Sequence, residues 1–371
     1  MQADILLLSI LPTGANVLVR FSDAENLRVL PARQHPVFLI KKEKNVMKKK
    51  ITALVMAAAM CLSVAACGSS DNGGSGDTAK DTYTVGICQL VQHQALDAAT
   101  QGFKDALKEE LGDKVEFVEQ NAANDIPTCG TICNGFVSDG VDLILANATP
   151  ALQAATAATQ SIPILGTAVT EYGVALDIDN FSGTVGGNVS GTSDLAPLDQ
   201  QAAMFSELLP DAKTVGILYC SAEPNSVYQA DVVKAALEDK GITVKVYTFA
   251  DSNDVATVTA TACDECDALY IPTDNTAASC AEAINNVALP KKTPIIAGEE
   301  GIASGCGIAT LSIDYYQLGV TTGKMAAKIL TGESDISTMP IEYYQNPVKK
   351  YNADICEQLG ITVPSDYAAI G

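Results

Sequence analysis

From residue 83 onward the chain alternates between two hydrophobic patterns. Short runs are apolar at nearly every position, such as Asp142-Leu143-Ile144-Leu145-Ala146-Asn147 and Ile162-Pro163-Ile164-Leu165-Gly166. Such runs predict central strands covered by helices on both faces. Between them lie longer stretches with apolar residues at helical spacing, residues 95–110, 126–138, 226–240 and 253–263, which predict amphipathic helices. Strand and helix alternating at this spacing predict right-handed βαβ units.

The pattern is written twice. Thr84-Val85-Gly86-Ile87 recurs as Thr214-Val215-Gly216-Ile217. Each is followed by a polar loop, a helix, a strand (residues 114–119 and 243–249) and a second helix. The run at Asp142 then parallels Asp267-Ala268-Leu269-Tyr270-Ile271-Pro272, and the run at Ile162 parallels Thr293-Pro294-Ile295-Ile296-Ala297-Gly298. Four matched elements in one order predict an α/β protein of two doubly wound parallel-sheet lobes. Ligands bind such sheets beyond the carboxyl ends of the strands. The loops there span residues 89–96, 147–149 and 168–171 in the first half, and 221–226, 273–275 and 299–301 in the second.

The N-terminal region reads differently. Lys48-Lys49-Lys50 precede an apolar run over residues 51–66, which predicts an export signal over 47–66. The run ends in Val64-Ala65-Ala66-Cys67, which resembles the lipobox of bacterial lipoproteins and implies acylation of Cys67. The Gly-, Ser- and Asp-rich stretch that follows has the composition of a flexible tether, assigned to 67–82. Residues 1–46 carry Arg20, Arg28 and Arg33, add nothing that an export signal needs, and read as an over-long gene model with Met47 as the true start. The remaining chain divides into lobe 1 (83–190 plus 308–340) and lobe 2 (191–307 plus 341–371), with crossovers near 186–194, 307–314 and 339–343.

Charge narrows the partners. The chain carries 23 basic and 44 acidic residues, a net charge of −21. From Cys67 onward 14 lysines face 40 acids, a net −26 that repels phosphate backbones and argues against nucleic acid. No apolar segment after the signal is long enough to span a bilayer. Nine of the eleven cysteines lie beyond Cys67, an odd number that cannot form a complete disulfide framework. Buried thiols are the favoured reading. With His93 the only histidine after Cys67, the Cys129/Cys133 and Cys263/Cys266 pairs predict no metal centre.

The loops carry a pattern of their own. Val85-Gly86-Ile87-Cys88-Gln89, then His93, Leu96-Asp97 and Gly102-Phe103, resembles the opening of extracytoplasmic solute-binding proteins of ABC transporters, in the group that contains tryptophan- and tyrosine-type receptors. Further matches are residues 146–150, 187–194, 223–226, 272–275 and 313–316. Cys88, Cys220 and Glu171 depart from the group's usual residues. The resemblance covers residues 83–370 and implies a type I periplasmic-binding-protein-like fold: two lobes joined by a three-crossover hinge, closing on one small molecule. It implies ligand contacts from Gln89, His93, Leu96, Asp97, Asn147, Ala148, Thr149, Val169, Thr170, Thr192, Ser193, Asp194, Glu223, Asn225, Ser226, Thr273, Asp274, Asn275, Asp314 and Tyr315. It also implies a monomer that hands its ligand to an ABC permease and its ATPase, outside the cell membrane, held there by the N-terminal lipid alone. No cofactor, metal or catalytic residue is expected.

Residue chemistry bears on the ligand. Cys88, His93 and Asp97 are the residue types of a nucleophilic arrangement, but a strand cysteine ordinarily points into a core. With no arginine after residue 33, a ligand carboxylate must use helix N-terminal amides and the hydroxyls of Thr149, Ser193 and Ser226. An ammonium would pair with Asp274 or Asp194, Asn147 and Asn225 would give directional bonds, and Tyr172, Tyr219, Tyr315 or Tyr316 could flank a ring. This set suits a zwitterionic amino acid with an aromatic or other apolar side chain. A sensory receptor of the same fold and an exported α/β enzyme are the alternative readings.

Overall fold

A computed structural model describes residues 82–371 and, before them, the backbone of two short strands. These strands, β1 (Leu7–Ile10) and β2 (Asn16–Val19), pair antiparallel with Leu7 opposite Val19. The expected export signal, Cys67 and all of the tether but its last residue lie outside the described residues.

The first half of the repeat builds one sheet. Its elements run β3 (Tyr83–Gln89), α1 (Gln94–Leu111), β4 (Val115–Asn121), α2 (Ile126–Asp139), β5 (Leu143–Asn147), α3 (Thr149–Ala158), β6 (Ile164–Val169), α4 (Tyr172–Ala175) and β7 (Val189–Ser193). With β13 (Glu342–Tyr343) they form a six-stranded parallel sheet in the order β13-β7-β6-β5-β3-β4. The second half contributes α5 (Leu198–Leu208), β8 (Thr214–Cys220), α6 (Pro224–Glu238), β9 (Thr243–Phe249), α7 (Val255–Glu265), β10 (Ala268–Ile271), α8 (Asn275–Ser279), α9 (Ala281–Ala288), β11 (Ile295–Ala297), α10 (Glu300–Cys306) and β12 (Ala309–Ser312). Then follow α11 (Tyr315–Leu330), β14 (Val348–Tyr351), α12 (Ala353–Leu359) and β15 (Ala368–Ala369). The second sheet runs β15-β14-β12-β11-β10-β8-β9, parallel except where β14 meets β12.

The repeat extends to hydrogen-bond chemistry. β5 and β10 are buried at every position, as their continuous apolar runs require. The aspartate before each run does the same task in each half. Asp142 accepts the amide of Thr84 at 2.7 Å, and Asp267 accepts those of Lys213 and Thr214 at 2.9 and 2.8 Å. Each carboxylate closes the start of the neighbouring strand, where a backbone donor would otherwise lack a partner.

The lobe boundaries differ from those expected. β7 lies wholly in the first sheet, so residues 191–193 belong to lobe 1. β12 pairs with β11 and β14, so residues 309–312 belong to lobe 2, and β13 returns residues 342–343 to lobe 1. The chain therefore crosses between lobes at 194–197, 313–314 and 344–347. Each strand is finished before the chain leaves its sheet, because a ladder broken halfway would strand buried amides.

α11 starts at Tyr315, capped by Asp314, and packs along α1. Contact is backbone to backbone. A Cβ at Gly102 would sit 2.1 Å from the Tyr316 carbonyl oxygen, and one at Gly319 would sit 2.0 Å from that of Ala99. Thr322 of α11 reaches under the sheet to Thr192 and Thr167 hydroxyls at 2.8 and 3.2 Å. Glycine's missing side chain and buried hydroxyl bonds thus fix α11 to lobe 1.

Candidate functional site

The carboxyl ends of both sheets face each other across a cleft. His93, Leu96, Thr170, Asp194, Asn225, Thr273, Asp274, Asn275 and Tyr315 line a narrow space between the lobes, joined by Ala95, Ala168, Ala278 and Glu299. Asp314 lines instead an adjoining chamber beyond Tyr315, with Glu300, Tyr316 and Lys350. The lobes touch across the cleft: His93 Nε2 lies 3.3 Å from Asn275 Oδ1, and Asn124 donates to the Thr276 hydroxyl at 3.1 Å.

Asp194 follows β7, where the first crossover begins. It is 2 % exposed, and its Oδ2 accepts the Tyr315 hydroxyl at 2.9 Å while Oδ1 has no partner. Burial pushes its carboxyl up from the ordinary range, and the Tyr315 hydroxyl pulls it back. Asn225 donates to the Thr273 carbonyl at 2.9 Å, which fixes the amide orientation, and its Oδ1 is buried without a partner. His93 Nδ1 is also buried and unpartnered. Three polar atoms on the cavity wall therefore await a group from outside the chain.

The other carboxylates of the wall are occupied. Asp274 is tied to the amides of Cys220 and Ala277 and the Ser226 hydroxyl, each at 2.7 Å. It holds the start of α8 in place and is not free to meet an ammonium. Burial, then the charge of Glu223, push its carboxyl up to about 8. Glu299 caps α10 through the amides of Gly301 and Ile302 at 2.6 and 2.5 Å, and burial raises its carboxyl as well. Of the two aspartates considered for an ammonium, Asp194 alone keeps an oxygen free.

The remaining sequence candidates lie behind the wall. Gln89 donates to Asp97 at 2.7 Å and accepts from Thr100 at 2.7 Å, and Asn147 donates to the Leu96 carbonyl at 2.8 Å and to Thr100 at 2.9 Å. These side chains pin the first turn of α1, whose N-cap residue His93 makes no side-chain bond to the helix amides. Ser193 donates to the Thr170 carbonyl and Ser226 to Asp274, both at 2.7 Å, so neither hydroxyl faces the cavity. Glu223 is consumed by the start of α8, while Ala148, Thr149, Val169 and Thr192 are buried in sheet ends and helix starts.

Of the tyrosines, only Tyr315 is on the wall. Tyr172 is sealed beneath the first sheet with its hydroxyl on the Thr192 carbonyl at 3.1 Å, and Tyr316 reaches Asp105 at 3.2 Å. Cys88 packs against Cys129 and Cys133, whose contacts, with burial, push its thiol up. It does not assemble with His93 and Asp97. All nine described cysteines are free, seven of them buried. Among the described residues no cluster is arranged to hold a metal ion, and no helix is long and apolar enough to cross a membrane.

The contributors missed by sequence reasoning are instructive. Ala95, Ala168 and Ala278 offer only small surfaces. Glu299 lies in a loop already placed at the sheet end, and its position before α10 was the available signal.

Two lobes meeting over unpartnered buried polar atoms define a receptor that encloses a small molecule. The model of the family described as "ABC transporter substrate binding protein" matches residues 84–369, and the chain belongs to that family. It is an extracytoplasmic solute-binding protein of the ABC-importer type, with a type I periplasmic-binding-protein-like fold. A tyrosine-binding protein of Clostridioides difficile is 37% identical over 305 residues, 79% of this chain and 87% of that protein. The ABC domain from Streptococcus pneumoniae in complex with L-Trp superposes with a TM-score of 0.74 at 32% identity, covering 78% of this chain and all of that one. A ligand-free, open substrate-binding protein with adhesive properties from Clostridium difficile has higher identity, 38%, but a TM-score of only 0.60, over 78% of this chain and 99% of that one. The weaker superposition on the open form agrees with lobes that touch. These relatives are binding proteins.

Proposed function

We propose that this chain captures a free amino acid with an aromatic or other apolar side chain. One observation carries the reading: the unpartnered Oδ1 of buried Asp194, in a wall that includes three carboxylates and neither lysine nor arginine. Such a wall favours a ligand that brings an ammonium group. The Asn225 Oδ1 is a further acceptor for it. The first turn of α1, with no side-chain cap, offers amide donors suited to a carboxylate. Tyr315, His93, Leu96 and Ala278 supply the apolar remainder. The relatives named for tyrosine and solved with L-Trp support the aromatic choice.

The ligand contacts both lobes, and its differential affinity for the closed form turns binding into a shape that a permease can read. The permease and its ATPase are the partners this reading requires. Export by residues 47–66 and acylation at Cys67 would hold the receptor at the outer face of the cell membrane. Cys67→Ser should then release the protein from the membrane fraction into the medium.

Residues 68–371, unfolded and refolded to strip carried-over ligand, are titrated calorimetrically with the twenty amino acids, aromatic ones first. Saturable 1:1 binding to one or two of them is the expected result. A folded protein giving no heat with any amino acid would overturn the reading.

A further inference from the structure

Glu223 is the N-cap residue of α6 and is 1 % exposed, yet no lysine or arginine pairs with it. Its carboxylate is spent on the start of α8. Oε2 accepts the Asn275 amide at 3.0 Å and the Asn275 side-chain Nδ2 at 2.6 Å, while Oε1 accepts the Thr276 amide at 2.9 Å and the Thr276 hydroxyl at 2.8 Å. Four donors on two adjacent residues converge on one carboxylate, with the Asn225 side-chain amide a longer fifth at 3.3 Å, so the Asn275 and Thr276 rotamers are set by a single group.

Asn275 and Thr276 are the same residues that meet the opposite lobe. Asn275 uses Nδ2 toward Glu223, which leaves Oδ1 turned to His93 Nε2 at 3.3 Å. Thr276 donates its hydroxyl proton to Glu223, which leaves the oxygen lone pairs to accept from Asn124 Nδ2 at 3.1 Å. Glu223 therefore dictates that both groups present acceptors across the cleft. Lobe 1 is shaped to match. Ala123 and Asn124 adopt left-handed backbone angles, φ 52° and 63°, and the Asn124 amide is held by the Leu90 carbonyl at 2.9 Å. Among the described residues, these two are the side-chain hydrogen bonds that join the lobes away from the crossovers.

We propose that Glu223 is a positioning residue for closure: it orients Asn275 and Thr276 as a latch that His93 and Asn124 engage when the lobes meet. The proposal rests on the reading of this chain as a receptor that closes on its ligand. Asn124, Thr276 and Glu223 lie outside the cavity wall, whereas His93 and Asn275 form part of it, so the Asn124–Thr276 bond is the one that sets the open–closed balance without touching the ligand. A bond made only in the closed state adds to ligand affinity by slowing release.

The test has two arms. In the first, the Asn124→Cys, Thr276→Cys double variant is oxidised without ligand, and the cross-link is followed by peptide mass spectrometry with Glu223 intact and with Glu223→Gln. The cross-link should form, and more slowly with glutamine. An equal rate would overturn the proposal, whatever the ligand is. In the second arm, tyrosine dissociation is timed for Glu223→Gln and Asn124→Gly, glycine being chosen because it accepts the left-handed backbone. Dissociation should quicken about two- to tenfold per lost bond with association little changed; the melting temperature of the ligand-free protein should hold for Asn124→Gly and fall for Glu223→Gln, whose amide group meets donors that the carboxylate accepted. If Glu223→Gln does not fold, Asn124→Gly decides, and a native dissociation rate in that variant sinks the latch. A native protein that binds no amino acid would refute the proposed ligand class instead, and the cross-linking arm would still judge the latch.

Discussion

Asp194→Asn keeps the side chain's volume and removes one negative charge from the middle of the cleft. Asparagine retains an oxygen that can accept the Tyr315 hydroxyl, now at 2.9 Å from Oδ2. Its amide group then points where Oδ1 stands unpartnered, and so presents a donor to the ligand's ammonium. Truncating one partner of a buried, hydrogen-bonded charge pair costs about 2–5 kcal/mol, or about 30- to 5,000-fold in affinity. The donor–donor encounter puts the expected loss in the upper part of that range. Stability should move the other way. Burial raises the Asp194 carboxyl in the ligand-free protein, so its charge opposes folding at neutral pH, and asparagine relieves that opposition. Titration calorimetry with tyrosine, paired with scanning calorimetry of the ligand-free protein, reads both effects. Affinity should fall at least about 30-fold while the melting temperature holds or rises. In the native protein, binding should also weaken as pH falls through the raised range of Asp194, because the protonated carboxyl cannot pair with an ammonium. That dependence should vanish in the variant. Binding within threefold of native, or a parallel loss of stability, would refute the reasoning.

Three further outcomes follow from the geometry. Gly319→Ala drives a Cβ into the Ala99 carbonyl oxygen, at 2.0 Å, and should destabilise the protein by about 1–3 kcal/mol or more, visible as a lower urea midpoint. Thiol titration of residues 68–371 should find at most the two half-buried cysteines, Cys266 and Cys280, reacting quickly in the native state and all nine after denaturation. Asp274, at about 8, and Asp194 and Glu299, also raised, bind more protons folded than unfolded. Their contribution is complete below the unfolded carboxyl range near pH 4 and is lost as pH rises toward 8. Glu207 and Asp267, which are lowered, act only at the acid end, so urea melts should show falling stability from pH 5 to pH 8.

The duplication made the lobes legible because the strand runs at Val85, Leu143, Val215 and Leu269 repeat their spacing and their flanking aspartates. Sheet membership was harder. The burial pattern of Val189–Ser193 and Ala309–Ser312 says that each is a covered strand, but a period of two cannot say which sheet supplies the neighbour. Loop position singled out His93, Asp194, Asn225 and Tyr315, which line the cleft. It did not separate residues that face the cavity from those that hold the wall, because Asp194 and Asp274 are equally polar and equally placed. Their difference lies in which oxygens the backbone has already claimed, and that depends on amides contributed from 54 residues away.

Asp194 and Tyr315 each sit beside a crossover, one where the chain first leaves lobe 1 and the other where it comes back. Points near a pivot travel little, so this pair should keep its geometry whether the jaws are apart or together. Contacts made there hold the ligand equally in both forms and give no push toward either. The drive to shut must come from groups farther out, at the first turn of α1 and at Asn225 and Thr273. Grip and trigger are thus separable in this receptor, and a ligand analogue could be held firmly at the pivot while leaving the jaws open.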